Sequence, residues 1–470
     1  MTAQLPPYPE YKDSGVPWLG EVPAHWQQLP GRACYREKKI SNTGMKEMTV
    51  LSLSYGQIVV KPEAKLHGLV PASFETYQIV DPGDIIVRPT DLQNDWNSLR
   101  FGLSHHRGII TSAYMCLHTQ DAMMREYGHL LLHAYDLKKV FYGLGSGLRQ
   151  NLDWRDFKYL PCLVPPPAEQ AAIVRYLDHM ERRIRRYIRA KRRLLALLAE
   201  QKQAIINQAV TRGLDADAPR KPSGVAWLGE VPAHWEVWQI GHFAEVGNGS
   251  TPSRSNAAYW NDGSFPWLNS SSVNQGRILA SDQFVTALAL KECHLPVVQP
   301  GSILVAITGQ GKTRGTAALL DVEATINQHM VFITPKMQRI SPSYLQMFLI
   351  AAYAEFRRIS DDAGGTKGAL TCEDVRHFKV LIPPIDEQRL LVDFLKEKSQ
   401  SIELVMHRTQ REIDLLREYR TRLIADVVTG QVDVRAAAAA LPVDMEDVDE
   451  FAEDAVLAEE DEIVEDGEAQ

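Results

Sequence analysis

The sequence predicts a mixed α/β (α+β) protein with an internal pseudo-twofold repeat, in which two globular domains are joined by two long helices that pair with each other. The first observation is an offset: adding 218 to a position in one helical stretch lands on its partner in another, Glu169 on Glu387, Leu177 on Leu395, Ile206 on Ile424 and Val210-Thr211 on Val428-Thr429. A second repeat supports it, since Ser14 to Trp26 reads SGVPWLGEVPAHW and Ser223 to Trp235 reads SGVAWLGEVPAHW. The third observation is that the segments between these frames, 27–163 and 236–381, are far less alike than their flanks. Duplication on the scale of domains follows, with a near-constant frame holding two divergent heads.

Along the chain, residues 1–26 form a strap of tryptophans and prolines without helical period. Trp18 and Trp26, like Trp227 and Trp235 in the second strap (214–235), read as packing anchors. The first head, 27–163, carries strand candidates at Met48–Leu53 and Tyr114–His118 and a helix candidate at Met123–Lys139. The second, 236–381, carries a strand candidate at His329–Thr334 and a helix candidate at Pro342–Arg358. One match survives inside the heads: Asp81-Pro82-Gly83-Asp84 and Gln299-Pro300-Gly301-Ser302 each read as a Pro-Gly turn feeding an apolar β run.

Each head ends in a proline stop, Val164-Pro165-Pro166 or Ile382-Pro383-Pro384, which bars helix behind it and favours helix ahead. The spacer helices follow, over 164–213 and 382–435. Glu169 and Glu387 sit in their first turns, at the positive end of the helix dipole. The first helix carries a heptad seam of Ile173, Leu177, Met180, Ile184, Tyr187, Leu194, Leu198 and Ile205, interrupted by Lys191. The second carries Leu391, Leu395, Ile402, Val405, Leu416, Leu423 and Val427. A stripe of this length calls for a partner helix. At ~1.5 Å per residue, forty-odd residues span roughly 65 Å, the length of a spacer.

Residues 436–470 close the chain. Ala436–Ala440 reads as a linker, and 441–470 holds fourteen Asp and Glu and no Lys or Arg, a composition typical of disorder. The net charge of −8 therefore misleads: without those fourteen, 51 basic residues face 45 acidic ones, a net of +6. The body is mildly basic.

Composition excludes several classes. The five cysteines, Cys34, Cys116, Cys162, Cys293 and Cys372, are isolated, which argues against a zinc ribbon or disulfide framework and fits a reducing cytoplasm. The first residues do not read as a signal peptide, and no apolar run reaches the length of a membrane span. Thr308-Gly309-Gln310-Gly311-Lys312-Thr313 after a strand resembles a phosphate-binding loop, but Ala306 stands where the first glycine belongs and Arg314-Gly315-Thr316 is weak helix. The histidines His105, His106, His118, His129 and His133 have no ligand spacing. No nucleophile–base constellation stands out.

What remains are polar, basic loops. The first head offers Arg88, Arg100, His105, His106, Arg107, Arg149 and Gln150. The second offers Ser253, Arg254, Asn256, Lys312, Arg314, Asn327, Gln328 and Lys367. Arg and Lys read guanine, Asn and Gln read adenine, and hydroxyls hold phosphates, so these are the candidate DNA contacts. Leu177, Ile184, Leu198, Leu395, Ile402 and Leu416 are the candidates for the helix-pairing seam.

Strap, divergent head and Pro-Pro-x-x-Glu-Gln helix, twice over, resembles the specificity subunit of type I restriction–modification systems. The residues that carry the resemblance are Pro165-Pro166-Pro167-Ala168-Glu169-Gln170 and Pro383-Pro384-Ile385-Asp386-Glu387-Gln388, and it covers about 11 to 435. It implies that the heads are target recognition domains, each reading half of an interrupted double-stranded DNA site. It implies that the helices form an antiparallel coiled coil that docks two methyltransferase (modification) subunits, with restriction (translocase) subunits completing the complex. It also implies a non-catalytic chain without cofactor of its own, S-adenosylmethionine, ATP and Mg residing on the partners. A two-headed protein scaffold that binds no DNA is the alternative, and an ATP-dependent enzyme built on Lys312 a second.

Overall fold

Four helices organise the computed structural model: α1 (Arg125–Leu137), α2 (Pro167–Arg212), α3 (Pro342–Ala351) and α4 (Ile385–Val428). The structure describes residues 5–442 except 55, 63–72, 97, 146–149, 310 and 363–367. These fall into two compact units, one built from the chain up to Ala190 together with the chain from Glu412, the other from Lys191–Arg411. Each unit holds one head and portions of both long helices.

In the first unit the strap forms a hairpin, β1 (Tyr11–Asp13) against β2 (Glu21–Pro23), and β3 (Gln27–Pro30) leads into the head. The head's main sheet is antiparallel, in the order β4 (Tyr35–Lys38), β7 (Met115–Thr119), β5 (Ile85–Val87), β6 (Phe101–Leu103). A last strand, β8 (Pro161–Val164), returns to pair with β3, so the head's exit is stitched to its entrance before the prolines release the chain into α2. Asp84 N–H closes the Asp81–Asp84 turn onto the Asp81 carbonyl at 3.1 Å, with Gly83 at φ +90°, a conformation only glycine adopts cheaply.

The second unit repeats the plan. β9 (Arg220–Pro222) and β10 (Glu230–Pro232) form the strap hairpin, and β11 (Glu236–Gln239) pairs with β17 (Lys379–Ile382). The five-stranded sheet runs β12 (Ala244–Asn248), β16 (Met330–Pro335), β14 (Ile303–Ala306), β15 (Ala317–Leu320), β13 (Arg277–Ile278), with only β13–β15 parallel. The helix expected over Pro342–Arg358 is two helices, α3 and Tyr353–Asp362, with Ala352 fully buried where they meet.

Each core fuses strap, head and both long helices. Trp26 and Val22 of the first strap pack with Ile173, Leu177 and Met180 of α2 and Leu423, Ile424 and Val427 of α4. Trp235 and Val231 of the second pack with Ile206, Ala209 and Val210 of α2 and Leu391, Val392 and Leu395 of α4. Within each unit the helix segments therefore run antiparallel. Ion pairs cross between them, Arg420 Nε to Glu181 at 2.6 Å in the first and Lys202 Nζ to Glu403 at 2.5 Å in the second.

Of the seam candidates, Leu177, Ile184 and Leu395 are buried, and Leu198, Ile402 and Leu416 half-buried. The wider seam needs correction: Tyr187, Leu194 and Val405 are 48%, 38% and 42% exposed, and Ile206 replaces Ile205 as the buried position. A seven-residue repeat drifts by about 20° per heptad around a straight helix of 3.6 residues per turn, so over five heptads it loses step by about one residue. The linker expected at Ala436–Ala440 is also corrected. Arg435–Ala439 is a helical turn, and Val434 and Ala438 are buried in the first core. Alanine has the highest helix propensity and carries no polar group to desolvate, so the run folds where a core accepts it. The rest of the tail, from 443, lies outside the described residues.

Candidate nucleic-acid interface

The Glu-Gln pair at the start of each long helix is a clamp. In the first unit the Trp26 indole donates to Glu169 Oε1 at 3.0 Å, and His25 Nε2 meets Oε2 at 2.8 Å. Gln170 Oε1 accepts from Met124 N at 2.8 Å, and its amide donates to the Ala122 and Pro165 carbonyls. The second unit reproduces the set: Trp235 and His234 on Glu387, and Gln388 on Ser341 N and the Arg339 and Pro383 carbonyls. Glu pins the strap and Gln pins the head's helix to the proline stop. Sequence reasoning assigned the glutamates to the dipole alone; the joint repetition of His-Trp and Glu-Gln was the signal that could have found the clamp.

On this frame the second head gathers polar loops. The loop after β12 starts at Gly249, where a Cβ would fall 1.7 Å from the Ile326 carbonyl oxygen, so only glycine permits the approach. Thr251 Oγ1 donates to Gln328 Oε1 at 2.5 Å, Gln328 Nε2 lies 3.3 Å from His329 Nε2, and His329 Nδ1 lies 2.8 Å from Thr308 Oγ1. That chain ties together the loops after β12, before β16 and after β14. Two indoles fix the first loop: Trp260 donates to the Ser253 carbonyl at 3.0 Å and Trp267 to the Ser250 carbonyl at 3.3 Å. Over them lies Arg254, its guanidinium carbon 3.9 Å from the Trp260 ring centre and 4.9 Å from that of Trp267, with Nη2 donating to Gln283 at 2.7 Å. An exposed cation–π stack holds the guanidinium in one orientation without burying its charge.

Of the second-head candidates, Ser253, Arg254, Lys312 and Gln328 are exposed on these loops. Asn256 is exposed too, but its side chain caps a short helical turn by accepting from Ala258 N. Two are corrected. Arg314 is 5% exposed and donates to Asp361 at 2.5 Å, and Asn327, also 5% exposed, accepts from His329 N at 3.0 Å. Both are committed to loop structure, because a buried polar side chain must spend its hydrogen bonds internally. Lys367 lies outside the described residues. The loop holding Lys312 joins β14 to β15 and leads into no helix, so it lacks the helix N-terminus that a phosphate-binding loop requires.

In the first head, Arg100 is corrected most firmly. It is fully buried and donates to the carbonyls of Arg88, Thr90, Asp91 and Asp95, bracing the loop between β5 and β6. Gln150, at φ +50°, donates to the Tyr142 and Leu144 carbonyls and closes the neck of its own loop. Arg88 is half-buried and paired with Asp95 at 3.2 Å. His105, His106 and Arg107 are exposed; Arg107 bonds Asp81 at 2.6 Å, and Lys38 and Arg107 hold the Asp81 carboxyl below its usual range. Arg149 lies outside the described residues. Trp96, not singled out from the sequence, is 53% exposed and stacks on Tyr142 at 4.5 Å. Its signal would have been its position between two loop arginines.

The remaining histidines are structural. His129 and His133 lie on α1 with rings 6.0 Å apart, and burial holds them down at about 4 and about 3. Among the described residues no group of three or more His, Cys, Asp or Glu could hold a metal ion, and no helix is long and apolar enough to cross a membrane.

Residues 232–414 match the family model described as type I restriction modification DNA specificity domain. The chain is similar to the type I restriction enzyme EcoR124I/EcoR124II specificity subunit of Escherichia coli, 24% identical over 40% of this chain and 45% of that one. It is also similar to the MjaIX specificity subunit of Methanocaldococcus jannaschii, 29% identical over 37% and 40% respectively. The chain thus matches less than half the length of these two curated relatives. A chain solved in work on complex assembly and conformational transition of the type I R-M system superposes with a TM-score of 0.66 at 14% identity, covering 87% of this chain and 99% of that one, which establishes a shared fold.

Proposed function

We propose that the whole chain, of which residues 232–414 match the type I restriction modification DNA specificity domain model, is a specificity subunit that reads a bipartite DNA site with two target recognition domains and docks methyltransferase and restriction subunits. The observation that carries this reading is the contrast between frame and heads. The clamp of His25, Trp26, Glu169 and Gln170 recurs nearly atom for atom at His234, Trp235, Glu387 and Gln388, while the polar loops described on the two frames are built differently, Arg107 pairing with Asp81 in the first head and Arg254 stacking on Trp260 and Trp267 in the second. A constant frame with divergent heads suits a protein that must recognise two unlike half-sites.

In the second head, Arg254 is the first candidate for reading a base edge. Its planar fork matches guanine O6 and N7, and the indoles beneath it remove part of the entropy cost of holding it still. Lys312, exposed and single-charged, suits a phosphate. In the first head His105, His106 and Arg107 are the exposed candidates. Methyl transfer and cleavage belong on this reading to partner subunits carrying S-adenosylmethionine, ATP and Mg, and the chain works in the cytoplasm without catalysis of its own. The second unit offers partners an apolar groove of about 700 Å³ between α3 and the long helices, lined by Leu195, Met347, Ile350, Leu395 and Met406.

The test is duplex binding as a function of salt. A DNA reader loses affinity linearly in log[salt], with a slope near −0.9 per phosphate contacted. Salt-independent or undetectable binding, in the presence of methyltransferase subunits, favours the protein scaffold instead. Mapping methylated sites in cells with and without the gene then gives the target sequence.

A further inference from the structure

The proline stop and seam of α2 recur in α4, but one feature of α2 does not. Arg175, Arg182, Arg186 and Arg189 are spaced by seven, four and three residues. At about 100° per residue they fall within roughly 60° of one another, opposite the buried Ile173, Leu177, Met180 and Ile184. The equivalent positions in α4 are Asp393, Gln400, Leu404 and His407, so the stripe departs from the duplication. From Arg182 to Ala199 the helix has eight Arg and Lys and no acidic residue. Acidic residues of α2 meet this run only at its start, where Asp178 pairs with the stripe's own Arg182 at 2.6 Å and Glu181 with Arg185 at 2.6 Å, and the helix carries no further carboxylate until Glu200.

The first member of the stripe already holds the C-terminal segment. Arg175 Nη2 donates to the Leu441 carbonyl at 2.9 Å and the Pro442 carbonyl at 3.2 Å. That grip is prepared by the turn at Arg435–Ala439, which buries Val434 and Ala438 in the same core as α2. The chain is thus delivered to the foot of the stripe just where its composition turns to fourteen acidic residues without a basic one.

We propose that the acidic segment 443–470 docks along the arginine stripe of α2 as an intramolecular polyanion. Arg175 to Arg189 spans about 21 Å at ~1.5 Å per residue, and twenty-eight residues at up to ~3.3 Å each reach well beyond that. The attraction is between several charges on each side and one end is already fixed, so docking is intramolecular and gains a high effective concentration. It screens a strongly basic surface from other polyanions, nucleic acid first among them. The inference stands independently of the DNA-reading assignment.

The experiment uses a fluorescent peptide of residues 443–470 and the full-length chain in four forms: native, with the fourteen tail carboxylates replaced by amides, and the amide-tail chain carrying either Arg182→Gln, Arg186→Gln and Arg189→Gln or lysine at the same three positions. The amide-tail chain binds the peptide roughly tenfold or more tightly than the native chain, whose own tail occupies the stripe. The glutamine stripe loses that binding, and the same three positions as lysine retain it, which separates lost charge from lost fold. Equal affinity for native and amide-tail chains overturns the proposal, as does peptide binding that survives the glutamines. So does a duplex DNA affinity that falls with the arginines while the peptide binds no form of the chain, which assigns the stripe to nucleic acid alone.

Discussion

The Trp26 indole donates to Glu169 across 143 residues of sequence, and the pair is sealed, with Glu169 only 5% exposed. The equivalent Glu387 is 28% exposed beneath His234. The same motif is therefore worth different amounts in the two units. Glu169→Ala leaves a buried N–H without an acceptor and should cost about 1–3 kcal/mol. Glu387→Ala should cost well under that, since water replaces the lost acceptor. Denaturant unfolding followed by tryptophan fluorescence measures both, and equal losses would show that burial does not grade the clamp.

Two arginines predict opposite phenotypes. Arg100→Met removes the donor for four loop carbonyls and should destabilise the first unit by about 3 kcal/mol or more without touching the second half-site. Arg254→Ala should leave the melting temperature within a degree or two but weaken DNA binding roughly tenfold and relax one base position. Half-site selection from randomised duplexes tests the second claim; unchanged specificity removes Arg254 from the reading surface.

The seam gives a third prediction. Leu395 is 1% exposed and packs with Ile206, Ala209 and Val210 across the helix pair. Leu395→Asp buries an unpaired carboxylate, costing several kcal/mol, and should unfold the second unit or expel the helix. Leu194→Asp, at a position 38% exposed, should be tolerated. Circular dichroism melts distinguish the pair, and similar losses at both sites would restore the uniform seam the heptads suggest.

Stability should fall on acidification through the buried histidines of α1. His129 and His133 are held at about 4 and about 3, below the unfolded value of about 6.5. Their neutral forms are favoured by the fold, so their contribution is complete above pH ~6.5 and is lost as pH falls towards their folded values. Asp136, raised to about 6 by burial, acts in the opposite sense, its contribution lost as pH rises from ~3.8 through 6. Two groups oppose one, so the melting temperature of the first unit should drop between pH 6.5 and 4. Replacing both histidines by phenylalanine should flatten or invert that slope; an unchanged slope places the acid sensitivity elsewhere.

The duplication was legible in the chain because it is written in residue identity. The 218-residue offset, the thirteen-residue strap and the Pro-Pro-x-x-Glu-Gln starts fixed two long helices and two heads, since proline stops and apolar periodicity act locally. The Asp81–Asp84 turn was likewise readable, glycine being the residue that reaches φ +90° there. Tertiary structure alone decided which polar residues face outward. Arg100, Arg314 and Asn327 looked in sequence like Arg254 and Gln328, yet burial turned the first three inward onto carbonyls, carboxylate and amide. Nothing local distinguishes them, because a side chain's partners come from segments tens or hundreds of residues away, and only folding reveals which arginine must satisfy a buried carbonyl and which keeps its charge in water.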